Sequence, residues 1–592
     1  IPRIEPYGLE RLEVLKGPSS GLYGQSDPGG LINMVSKRPL DTPHYEVQAT
    51  TGSFDRLEGA FDIGGPVTTN PNILYRVVGL ARDSGSQVDF AEDNKLFIAP
   101  SVTWRVNPDT NFTFLSQYQK IDNDGYQQYV PGGATLLSNP FGRIPVTRYL
   151  GEPGFDRTTQ EQWSLGYAFE HRIMPGLEVR QNLRYFDVTH DVQAMRGDGD
   201  LLFDRFFFRT PIYVEADAQN FAVDTQVQAN FATGPLTHEV LVGIDYQNSR
   251  STNVSLLASP LTAPLNYIPI DIFNPVYGSA PIATPDMLFR YLDIGSKQEQ
   301  TGLYIQDQIK LDRWTLSLSG RQDWSTVETT SAGFYPPVGR YEREDSARTG
   351  RVGLSYLFDF GLAPYVSYST SFVPNAGADL MGNSFSPTTG EGKEIGIKFM
   401  PNGTNLMMTA ALFDILQEDV LTADPLTGGL TSVQTDEARV RGFEIEVRGN
   451  LTRELEIVGG YSKLDPEITK SLAGFAGNTM PNVNVEQASL WAKYTWYDGP
   501  LAGFGVGGGV RYVGENYGDQ GNTIYIPSHT LLDATASYDF GYLDPQLDGW
   551  QAQINATNLA DEYYVASCQG GLAYCGLGTG RMVLGTLKYS WK

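Results

Sequence analysis

The sequence predicts an all-β protein, a roughly 22-stranded transmembrane antiparallel β-barrel, and three observations lead to this prediction. Apolar and polar side chains alternate through one segment after another from residue 43 onward. Aromatic side chains cluster at the ends of those segments, and short turns alternate with long polar loops. The composition agrees, since 41% of the 592 residues are hydrophobic and the aromatic residues comprise 33 Tyr, 29 Phe and 8 Trp.

Residues 221–231 show the alternation most clearly. Phe221, Val223 and Val227 fall on one face of a strand, whereas Asp224 falls on the other. A β-sandwich in water would also have one apolar face per strand. This segment, however, reaches the roughly 9–11 residues that a tilted strand needs to cross a bilayer. The same alternation occurs in residues 314–321, 443–448, 489–496 and 551–556.

The connections indicate how the strands are arranged. Residues 402–403 and 498–500 are typical of short turns, while residues 196–216 and 251–296 have the Pro, Gly, Asp and aromatic content of long loops. In a membrane barrel the short turns lie at one rim and the long loops at the other. At about 25 residues per strand and connection, residues 43–592 have room for about 22 strands.

Residues 1–42 do not follow the alternation. They are interrupted by glycine and proline at residues 17–18 and 28–30, a pattern that permits tight turns in a confined space. A barrel of about 22 strands would enclose a wide channel unless something filled it. We therefore expect residues 1–42 to lie in the lumen and residues 43–592 to form the barrel.

Charge and motif content exclude several function classes. The net charge of −25 disfavours nucleic acid as a partner, because phosphate binding requires a basic face. The five His residues are scattered, so we expect no metal site. One G-x-S-x-G occurs at residues 17–21, but the stretch after it is too rich in Gly and Pro to be the helix of a nucleophile elbow. We therefore expect no catalytic residues and no enzyme.

Cys568 and Cys575 are the two cysteines of the chain and lie in a Gly- and Tyr-rich segment. A pair this close favours a disulfide that closes a loop, formed in an oxidising compartment. Two unrelated buried thiols are the alternative.

Several segments resemble one protein family. Residues 9–39 (LERLEVLKGPSSGLYGQSDPGGLINMVSKRP) resemble the end of the plug domain of TonB-dependent outer-membrane siderophore receptors. Residues 390–399 (GEGKEIGIKF), 441–451 (RGFEIEVRGNL) and 555–568 (NATNLADEYYVASC) resemble barrel segments of the same family. Within it, the resemblance is to the ferrichrome/hydroxamate branch, and it is carried by residues 110–119, 219–234, 301–308, 489–503 and 568–575.

The resemblance implies energy-coupled uptake of a ferric siderophore across the outer membrane of a Gram-negative bacterium. A hydroxamate such as ferrichrome or ferrioxamine is the first expectation, and a catecholate or mixed siderophore or cobalamin is the alternative. A passive porin is the least favoured, because such a pore has no use for the plug sequence in residues 9–39. No cofactor is expected, since iron would travel only as the ferric siderophore.

The resemblance also implies domains and partners. Residues 1–42 correspond to the C-terminal part of the plug, and we expect the rest of the plug and the TonB box to be missing from this chain. The implied partners are the TonB-ExbB-ExbD complex, the barrel-assembly machinery, outer-membrane lipid and lipopolysaccharide. A monomer is expected.

The siderophore would bind between the loops and the plug. Aromatic rings offer flat apolar contact to a compact hydroxamate chelate, and a tyrosine hydroxyl adds a hydrogen bond. The resemblance assigns this role to Tyr23 in the LYGQ motif, and to Tyr126 and Tyr129 in the loop GYQQYVP.

The resemblance further implies contacts that hold the plug in place. Glu394 and Glu444 would face the lumen and pair with Arg11 and Arg38 of the plug. If such a pair is partly buried, removal of one partner would leave the other charge uncompensated.

Overall fold

The computed structural model describes residues 3–125, 129–258, 267–281, 283–333, 338–379, 381–423, 432–569, 571–572 and 574–591. Its wall is a closed antiparallel barrel of 22 strands that follow one another in chain order. The barrel fold and the strand number predicted from the sequence are therefore confirmed. Over the described ranges, no helix is both long enough and apolar enough to cross a membrane.

The strands are, in chain order, β1 (Leu9–Lys16), β2 (Gly30–Ser36), β3 (His44–Gly52), β4 (Arg56–Val67), β5 (Asn70–Asp83), β6 (Lys95–Asn107), β7 (Thr110–Asp124), β8 (Arg157–Met174), β9 (Leu177–Leu202), β10 (Phe206–Thr233), β11 (Leu236–Leu257), β12 (Ile268–Asp271), β13 (Phe289–Leu311), β14 (Trp314–Ser331), β15 (Gly339–Tyr356), β16 (Leu362–Val373), β17 (Thr388–Phe399), β18 (Met407–Ala423), β19 (Ser432–Asn450), β20 (Leu455–Lys470), β21 (Glu486–Thr495), β22 (Phe504–Val513), β23 (Asn516–Tyr517), β24 (Tyr525–Ile526), β25 (His529–Asp539), β26 (Trp550–Thr557), β27 (Val565–Cys568), β28 (Cys575–Leu577) and β29 (Met582–Trp591).

Seven of these strands stand outside the wall. The pairs β1–β2, β23–β24 and β27–β28 form small sheets of their own, and β12 adds four residues beside the upper part of β10. In the described residues, one short helix, α1 (Ser20–Tyr23), precedes the barrel. The 3₁₀ turns of the same residues are Pro6–Gly8, Ser53–Asp55, Gly132–Ala134, Pro285–Met287, Gly499–Leu501, Phe540–Tyr542 and Pro545–Leu547.

The wall strands turn apolar side chains outward and polar side chains into the lumen. Val366 on β16, Ile395 on β17 and Leu412 on β18 lie side by side and exposed on the outer surface. Their chain neighbours Ser367 and Glu394 line a lumenal cavity. This is the alternation expected from the sequence, because successive side chains on a strand point to opposite faces.

Aromatic pairs occur at the rim where the strands are joined by short turns. The rings of Trp314 and Tyr356 lie 4.8 Å apart at one such turn. Tyr45 stacks on Trp591 at 5.4 Å where the first wall strand meets the last. Rings at this height are typical of the interfacial girdle of a membrane barrel.

Strands β9 and β10 are much longer than a membrane crossing requires. They contain 26 and 28 residues, whereas about 9–11 tilted residues span the bilayer. Their upper halves therefore stand above the membrane, and the neighbouring loops pack against them. The long loop predicted at residues 196–216 is instead the upper part of this hairpin, since only residues 203–205 lie between the two strands.

Residues 3–42, which we call the lumenal segment, lie inside the barrel. Glu10 on β1 contacts Arg76 on β5, and Lys16 at the end of the same strand contacts Glu444 on β19. Contacts with two separate parts of the wall place this segment across the lumen.

The outward orientation of Val366 predicts a large effect of charge at this position. Val366→Arg should lower the free energy of unfolding by about 2–4 kcal/mol, because the side chain would enter lipid. Ser367→Arg, on the adjacent lumenal position, should lower it by less than about 1 kcal/mol. Denaturant titration of the barrel in liposomes, followed by its heat-modifiable gel mobility, measures both. Equal losses would contradict the assigned orientation.

Candidate functional site

A buried group of charges ties the lumenal segment to β4 and β5. Asp62 accepts hydrogen bonds from Arg76 at 2.8 and 2.7 Å and from Lys37 at 2.8 Å. Arg76 also donates to the Glu10 carboxylate at 3.1 Å and to the carbonyl of Arg38 at 2.9 Å. The side chains of Arg76 and Asp62 are only 6% and 2% exposed. We call Glu10, Lys37, Asp62 and Arg76 the buried anchor.

A second group of charges joins the lumenal segment to β19. Lys16 Nζ lies 2.9 Å from Glu444 Oε2 and also pairs with Glu446. These three side chains are 41%, 20% and 53% exposed. Solvent therefore screens the attraction between them, and such pairs contribute little to stability. We call Lys16, Glu444 and Glu446 the exposed anchor.

The contacts of the two predicted glutamates differ from the expectation. Glu444 faces the lumen as expected, but its partner is Lys16 rather than an arginine. Glu394 accepts a hydrogen bond from the hydroxyl of Tyr365 on the neighbouring strand. The expected arginine partners are therefore corrected to a lysine and a tyrosine.

The two predicted arginines have other roles. Arg11 pairs with Glu13 on the same strand at 2.5 Å, because side chains two residues apart on a strand share a face. Arg38 contributes its backbone carbonyl to the buried anchor. The cation that pairs with Glu444 is Lys16. Its position directly before the Gly-Pro turn that ends β1 is the feature of the sequence that could have identified it.

Helix α1 sets the position of Tyr23. Gly21 packs so closely on β15 that a Cβ atom there would lie 2.9 Å from the Cα of Gly350. The Tyr23 side chain remains 53% exposed in the lumen. Partial burial, together with the nearby Glu13 carboxylate, raises the pKa of Tyr23, so its hydroxyl is protonated and able to donate at neutral pH.

Tyr129 lies beside the loop that carries the two cysteines. Cys568 and Cys575 are joined with an Sγ–Sγ distance of 2.00 Å, which confirms the predicted disulfide. Val130 exchanges two backbone hydrogen bonds with Cys575, at 2.8 and 3.0 Å. The exposed ring of Tyr129 meets that of Tyr574 edge-on at 6.2 Å. The loop closed by the disulfide, which we call the disulfide loop, therefore supports the start of the connection between β7 and β8, where Tyr129 and Val130 lie.

A cavity of about 630 Å³ separates the long loops from the upper end of the lumenal segment. Phe54 and Tyr129 supply aromatic surface to its lining, and Arg3 and Arg148 supply cationic groups. Tyr149 also belongs to the lining but is only 1% exposed. Aromatic faces combined with a few hydrogen-bond donors are typical of small-molecule sites.

The three predicted aromatic contacts have different outcomes. Tyr129 lines the cavity, and Tyr23 lies lower in the lumen and is not part of its lining. Tyr126 falls outside the residues that the structure describes. None of the three has been tested by a bound ligand, and their role in binding stays a prediction.

Sequence reasoning missed Phe54, Arg148 and Tyr149. Phe54 enters the cavity from the turn between β3 and β4, where its φ is +64°, a left-handed geometry that is rare for a bulky side chain. Arg148 and Tyr149 stand at the far end of the same loop as Tyr129, with no motif around them. The one feature that could have indicated a binding role was the length of this loop, which runs for 32 residues, from 125 to 156, between two strands.

Comparison with known proteins identifies the family. Residues 103–559 match the family described as TonB dependent receptor-like, beta-barrel. The chain belongs to this family. Its predicted membership, its outer-membrane location and its role as a receptor rather than an enzyme are thereby confirmed. Receptors of this family bind a ferric siderophore and interact with TonB.

Two curated relatives match almost the whole receptor. It is 35% identical to the ferrichrome outer membrane transporter/phage receptor of Escherichia coli K12, over 99% of this chain and 79% of that protein. It is 32% identical to the ferrioxamine B receptor of Salmonella typhimurium strain SL1344, over 99% of this chain and 81% of that protein.

A solved structure shows the same fold. The siderophore receptor PiuA of Acinetobacter baumannii aligns with a TM-score of 0.86 at 23% identity, over 99% of this chain and 87% of that chain.

In the described part of the receptor, no group of three or more His, Cys, Asp or Glu side chains is placed to hold a metal ion.

Disruption of the buried anchor should lower the free energy of unfolding more than disruption of the exposed anchor. Arg76→Met leaves Asp62 buried with Lys37 as its remaining cation and should lower the free energy of unfolding by about 3–5 kcal/mol. Lys16→Met should lower it by less than about 1 kcal/mol, because solvent screens the exposed anchor. Urea titration of the purified receptor measures both values, with protease protection of residues 9–36 as a second readout. A larger loss for Lys16→Met would contradict this ranking.

Replacement of both cysteines by serine should loosen the disulfide loop without opening the barrel. The disulfide restricts the opened loop and thereby stabilises the closed loop by about 2–3 kcal/mol. The double variant loses this stabilisation in the loop alone. Limited proteolysis should cut residues 558–581 in the double variant and spare them in the wild type. The heat-modifiable gel mobility of the barrel should stay unchanged. Equal protease resistance of the two proteins would show that packing alone holds the loop.

Proposed function

We propose that this receptor imports ferric siderophores of the hydroxamate class, with chelates like ferrichrome or ferrioxamine as substrates. The observation that carries the proposal is its similarity, over nearly the whole chain, to receptors named for ferrichrome and for ferrioxamine B. The cavity beneath the long loops supports it.

The chemistry of the cavity suits a compact, oxygen-rich chelate. Its volume of about 630 Å³ lies within the roughly 300–1,000 Å³ of small-molecule sites. Phe54 and Tyr129 would give flat apolar contact to the organic part of the chelate. Arg3 and Arg148 would donate hydrogen bonds to its carbonyl and hydroxamate oxygens.

The lumenal segment would act as the C-terminal part of a plug, with residues 1–42 in that role and residues 43–592 as the barrel. The weak exposed anchor supports a release that begins on the β19 side, while the buried anchor keeps the segment attached to β4 and β5. Tyr23, with its exposed and protonated hydroxyl, would offer a further contact to a chelate that descends into the lumen.

Energy for release would come from the TonB-ExbB-ExbD complex through a TonB box on the N-terminal side of the plug. The remaining partners of the proposal are outer-membrane lipid, lipopolysaccharide and the barrel-assembly machinery. The receptor would act as a monomer without a cofactor, since iron is carried as cargo within the chelate.

Titration of the purified receptor with its complete plug tests the substrate class. Ferrichrome and ferrioxamine B should quench Tyr and Trp fluorescence at lower concentrations than ferric enterobactin. In the same assay, Tyr129→Ala should raise the Kd for the hydroxamates roughly tenfold, because an aromatic contact contributes about 0.5–1.5 kcal/mol beyond its buried area.

Tyr525→Ala is the matched control, because this exposed tyrosine lies on β24 in another loop and should leave the Kd unchanged. Quenching by the catecholate alone would overturn the hydroxamate class. An unchanged Kd in Tyr129→Ala would remove Tyr129 from the binding site while leaving the class intact.

A further inference from the structure

A buried polar group lies directly behind the cavity wall. Arg209, on the part of β10 above the membrane, donates hydrogen bonds to the carbonyls of Leu150 and Gly151. It also donates to Glu152 Oε2 at 3.3 Å. The side chains of Arg209 and Glu152 are only 1% and 6% exposed, so this pair is removed from water.

Asp156 completes the group. Its carboxylate accepts hydrogen bonds from the hydroxyl of Tyr149 at 2.6 Å, from the N–H of Met195 on β9 at 2.8 Å and from the N–H of Glu152 at 3.3 Å. Its backbone carbonyl accepts from the N–H of Gly125 at 2.8 Å. The first and last residues of the connection between β7 and β8 are thus joined to each other. We call Tyr149, Glu152, Asp156 and Arg209 the loop clasp.

The clasp also holds the next long loop. The hydroxyl of Tyr277 donates to the carbonyl of Tyr149 at 2.8 Å, and the N–H of Gly278 donates to Glu152 Oε1. An apolar cluster packs beside these contacts and contains Val130, Ala134, Ile144, Leu150, Phe207, Ile270 and Ile272.

The clasp leaves no room for a side chain at residue 151. A Cβ atom on Gly151 would lie 1.9 Å from Asp156 Oδ2 and 2.5 Å from the Tyr149 hydroxyl, so no side chain fits there. The Arg209–Glu152 pair and the nearby Asp156 carboxylate are all buried. This is costly, since apolar residues of similar volume often give a protein that is at least as stable. Such a group is better explained by the position that it imposes on its neighbours than by the stability that it adds.

We propose that Arg209 is a positioning residue for siderophore binding. Its hydrogen bonds to Glu152 and to the carbonyls of Leu150 and Gly151 fix the stretch beside Tyr149, a lining residue that is 1% exposed. Glu152 in turn donates its N–H to Asp156, which joins the two ends of the loop that carries Tyr129. Arg209 itself is not among the residues that line the cavity. This inference rests on the proposed function and adds to it the element that keeps the loop side of the site in place.

The buried carboxyl group also makes the clasp sensitive to pH. Burial raises the pKa of Asp156 to about 6, although its hydrogen bonds and Arg209 lower it, whereas an exposed Asp titrates near 4. The closed loop therefore binds the proton more tightly than an opened one. Its stability rises as pH falls through about 6 and levels off near 4. The charged and titratable residues that act on or contact Asp156 are Tyr149, Glu152 and Arg209. Tyr277 lies near Arg209 and has Arg148 and Asp89 beside it.

Substitution of Arg209 in the receptor with its complete plug tests the proposal. Arg209→Met should raise the Kd for ferrioxamine B about tenfold or more, because Glu152 would be left buried without its cation. The half-saturating concentration for uptake by iron-starved cells should rise by the same factor, and more than the maximal rate falls. Arg209→Lys should recover part of the affinity, since an ammonium group can meet Glu152 but lacks the fork that also reaches two carbonyls.

Arg290→Met is the matched control. This arginine is exposed on β13 and pairs with Asp293, so its loss should leave the Kd unchanged. The pH profile gives a second, independent readout. Between pH 7.5 and 5.5 the wild-type affinity should increase by up to about fourfold, and Asp156→Asn should show a flat profile, because the amide does not titrate.

Two results would overturn the proposal. One is a folded Arg209→Met receptor with the wild-type Kd and pH profile. The other, which decides the matter if Arg209→Met fails to fold, is a folded Arg209→Lys receptor with the wild-type Kd, because a lysine lacks the fork that also reaches the two carbonyls. A wild-type receptor that binds ferric enterobactin and neither hydroxamate would refute the proposed substrate class while leaving the clasp testable with the catecholate.

Discussion

The structure depends on one constraint, that a backbone crossing lipid must satisfy every N–H and C=O within the protein. The chain meets it where β29 pairs with β3, from Leu584 opposite Gly52 to Trp591 opposite Tyr45. This pairing removes the last free edge of the sheet. Once the wall is closed, each strand has one face in lipid and one in the lumen, and the alternation of apolar and polar residues follows.

A wall of 22 strands encloses more space than its own side chains fill, and this makes the lumenal segment necessary. The polar lumen gives that segment charged groups to bind, but the two anchors differ. In the buried anchor, Arg76 and Asp62 lie out of water and are held by several hydrogen bonds, so this anchor resists separation. The exposed anchor is screened by solvent. A pull on the segment would therefore meet less resistance at β19 than at β4 and β5.

Above the membrane the constraint from lipid ends, and the loops are organised as in a soluble protein. They have an apolar cluster, a disulfide and a buried ion pair, and all three act on the loop from 125 to 156. The disulfide loop supports its start near Tyr129, and the loop clasp joins its two ends. The cavity lies between these loops and the lumenal segment. Because the three kinds of contact order the loops, the aromatic residues that line the cavity are held in place although no continuous sheet supports them.

The sequence by itself determined what depends on local pattern. Alternation predicted the barrel and the lumenal orientation of Glu444, the length of residues 43–592 predicted the strand number, and short spacing predicted the bond between Cys568 and Cys575. Tertiary structure alone decided which distant groups meet. Lys16 reaches Glu444 across 428 positions of sequence, and Arg209 reaches Glu152 because a long hairpin and a loop lean together above the membrane. Such pairs depend on the register and curvature of a closed wall, and no local pattern encodes them.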